Sequence, residues 1–210
     1  MIKYLLFDLD NTLYSIRYGL EENVSMRIRK FLAAWLGTSE EEAVEERRRG
    51  IAHYGTTLEW LMGEKNFTGV EEFYSFVHPE GEADSLRPDP ELKEFLSGLP
   101  YPKAILTNSN REHADRILAK LELGDGGIFT HIFDMRWNNL QGKPHPDVFR
   151  RVLAVLEKGP EEVLFTDDYP KYVAGFNALG GPGVLLDELD SYPDFPGRRV
   201  RNIREIVKFL

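Results

Sequence analysis

Cysteine is absent from all 210 residues. That excludes a disulfide framework, a thiolate zinc site and a cysteine nucleophile, and it fits a reducing compartment. Long apolar runs are missing too. None approaches the ~20 residues that a bilayer-crossing helix needs. The early run Tyr4 to Phe7 is cut by Asp8, too soon for a signal-peptide core, so a soluble, cytoplasmic protein is expected. Positive charge is in deficit: 26 Lys and Arg against 35 Asp and Glu leave a net charge of −9. Such a surface repels phosphate backbones and anionic membranes, so neither a nucleic-acid polymer nor a membrane is expected as partner. A small phosphorylated substrate is compatible, because a local cationic site outweighs a distant field. No Gly-x-Ser-x-Gly and no Gly-x4-Gly-Lys occurs, and Gly180-Gly181-Pro182-Gly183 leads into a strand rather than a helix, so it is no dinucleotide fingerprint.

What is present is 42% apolar and 12% aromatic residues, enough for a real core in one domain plus an insertion. The run to Phe7 reads as a buried strand. Helical spacing of Val24, Ile28, Phe31, Leu32 and Trp35 marks a helix over about 18–35, with the aromatic stripe as its core face. Ser39 with Glu42 forms a capping box for a second helix to about Ile51, and Thr56 with Glu59 opens a third. A fourth covers 70–77, and the prolines of Leu86-Arg87-Pro88-Asp89-Pro90 mark a boundary and a helix start. Beyond it the rhythm is α/β: helix 89–98, strand 103–107, helix 111–122, weak strand 129–133, helix 146–157, strand 163–167, helix 170–179, strand 183–186 and helix 202–209. The expected fold is therefore α/β, a Rossmann-like parallel sheet with helices on both faces, formed by 1–14 and 88–210. An all-helical insertion, 15–87, follows the first strand and would sit over the strand ends as a cap.

Asp8 and Asp10 end the first strand two residues apart. Alternation along a strand sends both to one face, which is costly unless a proton or a cation lies between them, and carboxylate oxygens suit Mg²⁺. Three later places are comparable: Thr107-Asn108-Ser109 after the second strand, Gly142-Lys143-Pro144 in the loop before helix 146–157, and Asp167-Asp168 after strand 163–167. Each alone has a plain reading as a helix cap, a surface lysine or a solvated strand end. Together they supply what phosphoryl transfer requires: a nucleophile, a cation site, donors around the phosphate and a proton donor for the leaving oxygen. Asp8 with Asp167 and Asp168 suits Mg²⁺, while Thr107, Lys143 and the amides opening the following helices suit phosphate.

In this order and on these element types, the four segments resemble the motifs of the haloacid-dehalogenase-type phosphatase superfamily, over residues 1–13 and 88–186. The resemblance implies that Asp8 attacks phosphorus to form an aspartyl phosphate. It implies that Asp10 is the general acid/base, its backbone carbonyl joining the metal shell. Thr107, Asn108 and Lys143 would bind phosphate, and Asp167 and Asp168 would complete the Mg²⁺ site, which of the two ligates directly being open. A finer similarity runs through Tyr54-Gly55-Thr-Thr-Leu58, Phe76-Val77-His78, Arg87-Pro-Asp-Pro-Glu-Leu92, Leu99-Pro-Tyr-Pro-Lys103 and the stretch to His113-Ala114. It resembles the pyrimidine 5′-nucleotidase branch and implies hydrolysis of UMP or CMP. Trp60 stands where that pattern has glycine, and Tyr169-Pro170 where many relatives have a small hydroxyl residue. The alternatives are a sugar-phosphate phosphatase, a phosphomutase and a 2-haloacid dehalogenase; Asp10 argues against the last, since attack on carbon needs no leaving-group acid.

Other residues carry plainer expectations. The run Glu40 to Arg49 reads as a solvated helix face with Glu45 and Arg49 paired. His53 and Tyr54 are balanced between local packing and contact with a base, His113 is expected to make a structural hydrogen bond, and His145 enters a helix. His78 and His131 have no sequence partners for a metal site, and Thr12 is expected to support the turn after Asp8.

Overall fold

The computed structural model describes residues 1–124 and 126–210. Its centre is β1, Tyr4–Phe7, buried along its whole length. With β2 (Lys103–Leu106), β3 (His131–Phe133), β4 (Val163–Asp167), β5 (Gly183–Leu186) and β6 (Arg198–Val200) it forms one sheet in the order β3-β2-β1-β4-β5-β6. Every pairing is parallel, with Leu6 of β1 opposite Ala104 on one side and Phe165 on the other. Strand alternation splits the apolar residues cleanly. Leu5 and Phe7 join the core beneath α5 (Pro90–Gly98) and α6 (Arg111–Lys120). Tyr4 and Leu6 join the core beneath α7 (Pro146–Leu156) and α8 (Pro170–Asn177). The chain leaves β1 toward β2 and β3, then returns to β4 on the other flank. This reversal opens a crevice outside the carboxyl ends of β1 and β4, where open α/β sheets bind ligands.

Four helices lie between β1 and α5: α1 (Leu20–Leu36), α2 (Glu40–Gly50), α3 (Thr57–Lys65) and α4 (Val70–Val77). Local chemistry sets their ends. Ser39 and Glu42 make the reciprocal capping box of α2, and the Thr56 side chain accepts from Glu59 N–H at the start of α3. Gly37, with φ 69°, closes α1 in the left-handed region. These helices have their own apolar core, which includes Phe31, Leu32, Trp60, Leu61 and Phe73; from the sheet unit Met135 enters it and the half-buried Leu140 packs against it. Phe31 meets Phe67 and Phe73 edge-on at 5.7 and 5.3 Å, geometry worth about 0.5–1.5 kcal/mol per pair beyond buried area.

Three elements differ from the expectation. Trp35 is 39% exposed and packs edge-on against Phe67 at the rim rather than in the core. Residues Ile203–Phe209 wind as a 3₁₀ helix, and β6 is an edge strand that the sequence reading lacks. No helix of the described residues is long and apolar enough to cross a membrane.

Candidate active site

The turn after β1 is tight: Leu13 N–H bonds Leu9 O at 2.9 Å, and Asn11 takes φ 54°, a conformation that its short polar side chain tolerates. Asp8 is thereby left at the strand end, with Thr12 Oγ1 donating to its Oδ2 at 3.3 Å. This is the supporting role expected of Thr12. Lys143 arrives from the loop before α7, fully buried, and its Nζ lies 2.6 Å from both Asp8 Oδ1 and Asp167 Oδ2. The other oxygen of Asp167, Oδ1, accepts the Tyr169 N–H at 2.8 Å. Among the described residues Asp168 accepts only from Asn11 Nδ2, at 3.2 Å, and it lines the crevice.

Asp8, Asp167 and Asp168 bring carboxylate oxygens within 4.8 Å of one another. Burial, and then neighbouring carboxylates, raises all three, Asp8 well above its ordinary value and Asp168 to about 8 by burial and the Asp167 charge. Burial also disfavours the Lys143 ammonium, but Asp167 and Asp8 more than offset this and raise its pKa. One ammonium does not balance three carboxylates. An all-oxygen donor set with surplus negative charge fits a hard divalent cation such as Mg²⁺.

The Asp10 side chain stands apart from that group, contrary to a metal-ligating carboxylate; only its backbone carbonyl remains for such a role. Its Oδ1 accepts from Tyr14 OH and faces His113 Nε2, both at 2.7 Å, and its Oδ2 accepts from Ser109 Oγ at 3.2 Å. Burial opposes ionisation of Asp10, but the His113 charge and these bonds prevail and pull its pKa to about 2. His113 likewise resists burial through Asp10 and Glu82 and rises to about 10.

Thr107 lines the crevice just past β2, its Oγ1 accepting Ser109 N–H at 3.0 Å. Asn108 lines the same crevice, and its side chain also holds the lysine loop. Both ends of the amide hold the Lys143 backbone, Oδ1 accepting from N–H at 2.7 Å and Nδ2 donating to the carbonyl at 3.1 Å. The amide thereby aims the lysine loop.

Between these groups and α1–α4 lies a cavity of about 560 Å³. Its far wall carries Glu21, Arg47 and Arg48 among Val24, Ile28 and Phe73. The run Glu40 to Arg49 is therefore not all solvated face. Arg47 turns inward and donates from Nε to Thr57 Oγ1 at 2.8 Å, and Glu45 pairs with Arg48 rather than Arg49. Arg47 follows Ala43, buried, by four residues and precedes Gly50, buried, by three, so helical spacing carried this signal. Burial, with Asp10 nearby, lifts Glu21 to about 7. Tyr54 packs on Gly63, whose Cβ would lie 2.6 Å from the ring, and neither Tyr54 nor His53 lines the cavity. His145 precedes α7, as expected. His78, by contrast, has partners: its Nδ1 lies 3.0 Å from Glu82, its ring centroid 4.2 Å from that of His113. Glu82 is already bonded by Arg116 at 2.6 Å, so the three serve an ion-pair network.

A family model described as a haloacid dehalogenase-like hydrolase matches residues 2–180. The chain belongs to the haloacid dehalogenase-like hydrolases. Among curated relatives, Phosphate metabolism protein 8 of Saccharomyces cerevisiae is 28% identical over 204 aligned residues, covering 90% of this chain and 63% of that protein. The chain thus spans less than two thirds of that relative. A HAD phosphatase from Thermococcus onnurineus superposes with a TM-score of 0.66 at 21% identity, covering 99% of this chain and 97% of that one. The L-2-haloacid dehalogenase from Xanthobacter autotrophicus gives 0.62 at 18%, with 99% of each chain covered. At such identities the structural likeness establishes the shared fold of this hydrolase family.

Proposed function

We propose that the protein is a Mg²⁺-dependent phosphomonoesterase that works through an aspartyl phosphate on Asp8, with nucleoside monophosphates of the UMP and CMP type as substrates and helices α1–α4 acting as the cap. The observation that carries this reading is the Asp8–Lys143–Asp167 bridge, 2.6 Å on either side, with Asp168 open to the same crevice. Asp8, Asp168 and the Asp10 carbonyl would hold the ion; of the acidic pair Asp168 is the one that lines the crevice, while Asp167 is fully buried against Lys143 and the Tyr169 N–H. When bound, Mg²⁺ neutralises phosphate charge and orients the ester for in-line attack. Lys143 steadies the Asp8 carboxylate and offsets the charge that gathers on the phosphoryl oxygens, and Thr107 offers its hydroxyl to them. Asp8 displaces the alkoxide and Asp10 protonates it. A phosphate dianion beside Asp10 adds like charge, which favours a proton on that carboxyl despite its low resting pKa. Asp10, ionised again, takes the proton of the water that cleaves the acyl phosphate.

The cavity and its wall of apolar residues flanked by Glu21 and Arg47 suit a base with hydrogen-bonding edges. The dehalogenase reading shares the nucleophile but leaves Asp10, with its three donors, without a task. Phosphate release from p-nitrophenyl phosphate is expected to require Mg²⁺, to stop with chelator, and to fall at least ~10³-fold in Asp8→Asn, the scale seen on removing a nucleophile. Turnover of 2-chloropropionate without metal would overturn the proposal, and kcat/KM across nucleotides and sugar phosphates tests the substrate class.

A further inference from the structure

Glu82 lies on the return passage from α4 to α5, with its side chain 1% exposed. It gathers groups from both halves of the molecule. From the sheet unit come Arg116 Nη2 at 2.6 Å and His113 Nδ1 at 2.9 Å; from the helical segment come His78 Nδ1 at 3.0 Å and Arg27 at 3.7 Å. His113, also 1% exposed, stands between two carboxylates, Glu82 at Nδ1 and Asp10 at Nε2. Nε2 hydrogen-bonds Asp10, while Nδ1 lies at ion-pair distance from Glu82, outside hydrogen-bond geometry. Together with Tyr14 the imidazole occupies Oδ1 of Asp10, so Oδ2, held by one hydroxyl, is the oxygen left to exchange a proton with substrate.

We propose that His113, oriented by Glu82, is a positioning residue that fixes the Asp10 carboxyl with Oδ2 toward the leaving group. Because Glu82 also grips Arg27 and His78, the seating of α1–α4 over the crevice is transmitted to Asp10 through the same carboxylate. The inference rests on the acid/base role proposed for Asp10. A network serving only to pin the passage would affect stability and all substrates alike. A positioning role affects substrates according to how much their leaving oxygen needs a proton: an alkoxide of UMP does, p-nitrophenolate hardly does.

The test measures kcat and KM on both esters for His113→Asn, Glu82→Gln and Asp10→Asn. His113→Asn is expected to lose about 100-fold in kcat on UMP and no more than about fivefold on p-nitrophenyl phosphate, within the range of general acid catalysis, with KM changed less than twofold. Glu82→Gln, which keeps the histidine, is expected to show the same split at about tenfold, and it decides the matter where His113→Asn does not fold. Equal losses on both esters, or none, would overturn the proposal. Asp10→Asn is the reference. A split there without one in the other two variants rejects the positioning role alone, whereas no split in Asp10→Asn rejects the acid/base reading itself.

Discussion

The Lys143 side chain is the most constrained group of the site. Replacing it by Met leaves Asp8 and Asp167 buried without a counter-charge, a change that costs about 3–5 kcal/mol where one partner of a buried pair is removed. Urea unfolding of Lys143→Met at neutral pH should show that loss, and a smaller one as the pH falls, because burial already favours the protonated form of both carboxyls. The Asp10–His113 pair sets a second pH dependence. His113, raised from 6.5 to about 10, contributes stability that is complete below 6.5 and lost as pH climbs through 10. Asp10, lowered from 3.8 to about 2, contributes stability present above 3.8 and lost as pH falls through 2. Both describe one bond from its two ends. Urea midpoints between pH 6.5 and 10 should therefore decline in the native protein and flatten in His113→Asn; parallel curves would contradict the pairing. Asp8, Thr107, Lys143 and Asp167–Asp168 were legible because strand ends and helix entries point to a crevice. Glu21, on a helix, and Glu82, on a connecting turn, were not, since a charged residue in either place looks solvated until packing covers it; Arg47 was signalled only by its spacing from Ala43 and Gly50.

At the level of elements, the helical segment depends on a glycine–tryptophan contact. A Cβ on Gly50 would lie 2.3 Å from Trp60 Nε1, so α2 closes onto α3 only because the residue is glycine. Trp60, noted in the sequence as a departure from glycine, is 1% exposed and fills that core. Trp60→Ala is expected to cost about 3–5 kcal/mol through the cavity it leaves, and Gly50→Ala about 1–3 kcal/mol through overpacking, both read from denaturant midpoints. A Gly50→Ala protein as stable as the parent would show that the helices slide apart freely. The strands β1, β2, β4 and β5 were readable as short, fully buried runs. In β6, Arg198-Arg199-Val200, only Val200 is buried, so an edge pairing supplied by backbone alone left no apolar signature. The helix expected over 202–209 winds as 3₁₀, a type whose spacing over so short a stretch the sequence does not distinguish from an α-helix.

For the molecule as a whole, the bridge at Lys143 joins the ends of β1 and β4, the two strands flanking the point where the sheet order reverses. Reversible, cooperative refolding in EDTA is therefore expected. Added Mg²⁺ should then raise the stability by mass action alone, about 2.7 kcal/mol at a hundred times its dissociation constant. Failure to refold without the ion would show that the ammonium is an insufficient substitute. The consequence reaches to how the molecule matures. By carrying its own internal counterion, the chain would uncouple acquiring its shape from acquiring the ion proposed for it, so that such an ion could arrive late, depart and be replaced without the scaffold being rebuilt.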